Sequence, residues 1–151
     1  MDKRGHTLLE TIIAVSIMTV MIASLYSSVN PAKKLREMYN AQRLMDINTL
    51  IGAINGYYQD HNGKHYKTVA DTEAGLYYMI GTCSHGGELK CDAYETQPEC
   101  VDLSGMDRDY LYTVPKDPKD GTNERTGYYL MRWEGDFVTL GVCNSGVAVT
   151  K

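Results

Sequence analysis

Cysteine is absent from the first 82 residues of this 151-residue chain, and glycine is scarce at the front too, with 11 of its 14 copies after residue 60. Such a front half holds no disulfide and few points of backbone freedom. Phe and Trp occur once each. Cations are in deficit: 15 Lys and Arg against 19 Asp and Glu give a formal net charge of −4. No polycation is available to hold phosphates, so no direct nucleic-acid partner is expected. Catalytic signatures are missing as well, with no G-x-S-x-G elbow, no phosphate loop and no cysteine in a recognisable catalytic setting. At 16.9 kDa the chain has room for one core and an appendage, which excludes a multidomain enzyme.

The most informative absence is of charge. From Thr11 to Ala32 there are 22 residues without a charged side chain, about 33 Å as a helix and close to the hydrocarbon thickness of a bilayer. The flanks differ: up to Asp60 the chain carries six basic and five acidic residues, and from His61 onward nine and fourteen. The two parts therefore meet different surroundings.

Lys3 and Arg4 ahead of an apolar run suit a cleaved secretory signal, but the run is longer than a signal core. Leu25 and Tyr26 also stand where a cleavage site needs small residues. A plain signal anchor fits the length and leaves Glu10 unexplained. A carboxylate near the head of a membrane helix costs on the order of a few kcal/mol at the bilayer centre, less towards the interface, and so calls for a cation.

The segment Lys3-Arg4-Gly5-His6-Thr7-Leu8-Leu9-Glu10-Thr11-Ile12-Ile13-Ala14 resembles the prepilin signature of type IV pilins and of the pseudopilins of type II secretion. The resemblance implies a leader, Met1 to Gly5, removed by a membrane-embedded prepilin peptidase, with the cut between Gly5 and His6. Gly5, lacking a Cβ, lets the backbone approach the peptidase closely. The family's residue after the cut is most often Phe, which here is His6, the site of the customary N-methylation. Glu10 would then pair with the amino terminus of a neighbouring subunit inside a fibre, where both charges lie in apolar surroundings.

Past Pro31 the sequence still reads as helix to about Asp60, with Leu44, Ile47, Ile51, Ile54 and Tyr58 forming an apolar stripe at spacings of three and four. Pro31 predicts a kink or local melting, and Asn62-Gly63 predicts the stop. Gly52 and Gly56 suggest close packing against a sheet. Lys33, Lys34 and Arg36 after the span balance Lys3 and Arg4 before it, so charge alone does not set the orientation.

From Lys64 the pattern changes to short apolar pieces between turns. Thr126–Trp133 and Phe137–Val142, joined by Glu134-Gly135-Asp136, predict a hairpin, with a third strand over Gly146–Thr150. Ala74–Ile80 and Leu103–Tyr112 read as short helices. The run Tyr110 to Gly121, with its Pro-x-Asp-Pro at Pro115 to Pro118, resembles major pseudopilins more loosely. Some of these bind calcium nearby, which makes Asp117, Asp120 and Asn123 candidate ligands, although ordinary turn residues are the favoured reading.

Cys83, Cys91, Cys100 and Cys143 predict two disulfides in a head outside the inner membrane. Four cysteines allow three connectivities that sequence does not resolve. Cys83 with Cys91 and Cys100 with Cys143 is the pairing favoured, since the second link would tie the sheet to the irregular middle. A zinc set of Cys83, His85, Cys91 and Cys100 lacks any C-x-x-C pair. His61 and His65 share the spacing of a zinc helix without its glutamate, and Asp107 and Asp109 read as solvated surface.

These readings predict an α+β, pilin-like fold: a long N-terminal helix, membrane-spanning in its first half, packed on a small antiparallel sheet head. The expected divisions are leader 1–5, membrane and assembly half 6–31, amphipathic half 32–62 and disulfide-bearing head 63–151. The resemblance implies a non-enzymatic subunit of a type IV pilus-like or secretion pseudopilus fibre, a helical homo-oligomer with no cofactor. Its implied partners are the prepilin peptidase, an assembly ATPase, an inner-membrane platform and the membrane. Its implied location is the inner membrane, single-pass with the head outside, then a periplasmic or cell-surface fibre. The alternative is a signal-anchored periplasmic or extracellular binding or enzymatic domain.

Overall fold

Thr7 starts the first helix. Its hydroxyl accepts the Glu10 N–H at 3.3 Å and its carbonyl the Thr11 N–H at 3.2 Å, which satisfies donors that a helix start leaves open. Helix α1 then runs Leu8–Ser28 and α2 Pro31–Asp60. Asn30 caps α2 in the same manner, its side-chain oxygen accepting the Lys33 N–H at 3.2 Å. Pro31 takes the first helical position, where a missing N–H costs nothing. The expected helical run is thus present, and the break foreseen at Pro31 is a recapped restart. The computed structural model describes residues 7–28, 30–88, 90–91, 94–135, 137–143 and 148–150. It divides into two units, Met1–Met38 and Tyr39–Lys151.

The second unit contains a five-stranded sheet and a two-stranded ribbon. The strands are β1 Tyr77–Ile80, β2 Lys90–Cys91, β3 Tyr94–Glu95, β4 Cys100–Val101, β5 Tyr128–Arg132, β6 Val138–Val142 and β7 Ala148–Thr150, with a short helix α3 at Lys67–Ala70. The sheet order is β4-β1-β5-β6-β7, with β2 and β3 paired separately. Strands β1 and β4 pair in parallel and the remaining neighbours antiparallel. The hairpin is β5–β6, and the third strand is β7, whose expected start at Gly146 lies outside the described residues.

Alternation sorts the sheet's side chains between two faces. Tyr78, Ile80, Tyr128, Leu130, Val138, Leu140 and Val142 join Ile47, Leu50, Ile51 and Ile54 of α2 in the main core. Met79 and Tyr129 turn the other way, to Cys91 and Cys143. The helical stripe is buried as expected at Ile47, Ile51 and Ile54, whereas Leu44 is 45% exposed.

Several expectations fail here. Ala74–Ile80 is not a helix: its apolar run forms β1, held between β4 and β5. Leu103–Tyr112 is a series of turns rather than a helix. Nor do the paired glycines pack on the sheet, since a Cβ at Gly52 would meet open space and one at Gly56 would meet the Tyr110 ring at 3.3 Å. The helix stop holds: Asn62 and Gly63 take φ of 54° and 76°, and the Gly63 N–H closes on the Tyr58 carbonyl at 2.9 Å.

Candidate functional site

Helix α1 has no covered face. Every described side chain from Thr7 to Tyr26 is exposed, and its 21 residues span about 31 Å. It is long and apolar enough to cross a membrane. Four of its hydroxyls do not call for water: Thr11, Ser16, Thr19 and Ser24 each donate to a carbonyl three or four residues back at 2.8 Å. Apolar over most of its surface, with those hydroxyls closed internally, α1 is suited to apolar surroundings.

Glu10 is the sole charge on this helix and sits in its first turn, three residues after the Thr7 cap. The spacing Thr7-x-x-Glu10 is the capping-box pattern, and a carboxylate there is favoured by the helix dipole. Sequence reasoning weighed Glu10 for assembly and missed this local role, though the pattern was visible. Gly5 and His6, the expected cleavage pair, lie outside the described residues.

The second unit contains a buried polar network along α2. Arg43 grips Asp117 with Nε to Oδ2 at 2.6 Å and Nη2 to Oδ1 at 3.2 Å. Three residues on, Asp46 accepts the Tyr128 hydroxyl at 2.6 Å and the Gln42 amide at 2.8 Å. Asp46 and Asp117 are each only 7% exposed, so these partners replace the lost hydration. Burial, then the Asp46 hydrogen bond, pushes the Tyr128 phenol up, which keeps it a donor. None of these residues was singled out from sequence except Asp117, because the pairs span 74 and 82 positions.

Burial works to raise the Asp117 carboxyl, but Arg43 and the Lys119 and Asp120 N–H groups outweigh it and hold it below the ordinary 3.8. A depressed carboxyl contributes stability in full above its unfolded value and loses it as pH falls through the lower folded value. Head stability should therefore decline below about pH 4. Chemical denaturation between pH 3 and 6 checks this: Asp117→Asn starts less stable and shows the shallower acid slope, and an equal slope would remove Asp117 from the account.

The cysteines form two bridges, Cys83 with Cys100 and Cys91 with Cys143. The favoured pairing of Cys83 with Cys91 and Cys100 with Cys143 is thereby corrected. The parallel β1–β4 register sets Met79 opposite Cys100, and the chain leaving β1 turns back at Cys83, whose φ is 45°. Cys91, in the ribbon, packs with Cys143 behind the sheet. Oxidised sulfurs leave no thiolates for zinc, and His85 faces Glu124 at 3.1 Å instead. Among the described residues no group of three or more His, Cys, Asp or Glu is placed to hold a metal.

The calcium candidates fit poorly too. Asp117 is committed to Arg43, while Asn123 Oδ1 accepts the Lys116 ammonium at 3.1 Å. Asp107 and Asp109 are exposed, as expected.

Comparison with known proteins adds one finding: a family model described as the prokaryotic N-terminal methylation motif matches residues 1–26. The match runs from Met1 into α1 and covers most of that helix. No curated protein and no solved structure matches the chain.

Proposed function

We propose that this chain, which carries the prepilin-type signal of type IV pilins and pseudopilins, is a structural fibre subunit. The signal implies prepilin peptidase as a partner and association with the membrane. In our reading, the peptidase cuts after Gly5, α1 holds the subunit in the inner membrane with its head outside, and an assembly ATPase and membrane platform move it into a helical fibre. There α1 exchanges lipid for copies of itself, and Glu10 meets the new His6 amine of a neighbour. The observation that carries this reading is α1 itself: an apolar helix without a covered face, bearing one carboxylate in its first turn. A soluble enzyme or binding domain has no use for such a surface.

Between the two fibre types, the Tyr110 to Gly121 run favours the secretion pseudopilus. Coexpression with a prepilin peptidase tests the proposal at its base. Intact-mass analysis should show loss of Met1 to Gly5, and retention of those residues would overturn the processing step. Shearing cells that hold the chain's assembly machinery assigns the fibre: abundance of the protein in surface filaments points to a pilus, and its recovery only with secretion machinery to a pseudopilus.

A further inference from the structure

The loop from Pro115 to Gly127 folds around one buried carboxylate, and the chain itself supplies the cation for it. Both Asp117 oxygens are engaged: Oδ2 by Arg43 Nε at 2.6 Å, and Oδ1 by Arg43 Nη2 at 3.2 Å and by the N–H groups of Lys119 at 2.9 Å and Asp120 at 3.3 Å. Four donors thus meet a carboxylate with about four acceptor positions, three of them on Oδ1 and the shortest, from Arg43, on Oδ2. The guanidinium is aimed by α2, where Nη1 donates to Asn40 Oδ1 at 3.1 Å.

The other oxygens that could complete a calcium shell face cations of their own. Asn123 Oδ1 accepts Lys116 Nζ at 3.1 Å, and Asp120 pairs with Lys119 at 3.4 Å. The backbone is closed tightly about the same point. The Asp117 N–H donates to the Thr126 carbonyl at 2.7 Å, and the Gly121 N–H to the Asp117 carbonyl at 3.0 Å. A Cβ on Gly121 would strike the Asp117 nitrogen, and one on Gly127 would come within 2.8 Å of the Asp117 Cβ.

We propose that the Arg43 guanidinium is the organising cation of this loop, standing where a divalent metal would otherwise gather Asp117, Asp120 and Asn123, so that the head folds independently of calcium. The substitution is physically apt. A planar fork neutralises one carboxylate with two parallel hydrogen bonds, whereas calcium takes six to eight oxygens. Because Arg43 belongs to α2, the same contact joins helix to loop, which a metal held within the loop would not do. Arg43 is thus a positioning residue, and the link does not vary with the calcium outside the cell.

Thermal melting of the full chain in detergent, in EDTA and in millimolar calcium, tests this. The parent is expected to melt identically in both, and stabilisation by calcium overturns the proposal. Arg43→Ala should melt on the order of 10 °C lower in EDTA, because it strands a buried carboxylate, and calcium should now raise its Tm as the vacated Asp117 joins Asp120 and Asn123. A parent-like Tm, or one indifferent to calcium, makes Arg43 a simple anchor and overturns the cation role. Should the alanine variant fail to fold, Arg43→Lys decides: it keeps the charge without the fork, so it should melt below the parent and ignore calcium, and a calcium response from it counts against the proposal. These readouts concern the isolated subunit and stand apart from the fibre assignment.

Discussion

A Glu10→Ala subunit should insert, fold its head and be cut by the peptidase, and yet fall out of the fibre by about thirty- to a hundredfold. An acidic side chain in a membrane helix costs up to about 2.5–3.5 kcal/mol at the bilayer centre, and less nearer the interface. In a fibre that pairs Glu10 with a neighbour's amine this cost is relieved, so relief on the order of 2–3 kcal/mol per subunit favours leaving the lipid. Alanine removes the carboxylate and with it the difference between the two environments, making α1 a better membrane anchor and a poorer fibre element. Glu10→Gln keeps the shape without the charge and should fail in the same way. Head melting should not change, since no α1 residue enters either core. Quantifying tagged subunits in sheared or purified fibres against the membrane fraction checks this. Parent-like incorporation of both variants would return α1 to the role of a plain anchor.

Loss of a disulfide is expected to give the largest effect on the head. Cys91–Cys143 spans 52 residues and Cys83–Cys100 spans 17. Loop-closure entropy assigns them about 4 and 3 kcal/mol respectively. For a head of this size the double replacement Cys91→Ser with Cys143→Ser should lower Tm on the order of 15 °C, and Cys83→Ser with Cys100→Ser by somewhat less. The ranking follows the longer loop, and the longer link also ties the ribbon of β2 and β3 to the back of the sheet, where Cys91 packs with Met79 and Tyr129 beside the Tyr94 ring stacked on Tyr77 at 4.2 Å. Non-reducing peptide maps cut with trypsin and a glutamyl protease, which separates Cys91 from Cys100 at Glu95, should link Cys83 to Cys100 and Cys91 to Cys143. Equal melting losses, or different linked peptides, would contradict this arrangement.

The failures of sequence reading share a cause. Within the predicted helix Ala74–Ile80, the run Leu76-Tyr77-Tyr78-Met79-Ile80 is short and apolar and carries no decisive period. It is a strand because both of its edges and both of its faces are covered, and that cover comes from residues distant in sequence. Leu103 to Tyr112 has residues compatible with a helix, yet its leading polar groups turn the backbone instead, with Asp102 Oδ1 accepting the Ser104 N–H at 2.8 Å. Pro31 by itself predicts a break, whereas Asn30-Pro31 together are a cap followed by a favoured first helical residue.

What the sequence determined by itself is the apolar helix and its prepilin-type signal: Lys3-Arg4, Glu10 and 22 uncharged residues. All of that is local, and an apolar helix whose described side chains from Thr7 to Tyr26 are all exposed needs no distant information to be recognised. The hairpin was legible for the same reason, since its strands alternate and its turn lies between them. The tertiary structure alone decided which cysteines meet, which strand runs parallel, and that Asp117 pairs with Arg43. Each of those facts joins residues 17 to 74 positions apart, and a carboxylate in a turn looks the same in sequence whether it awaits a metal or is already held by a helix.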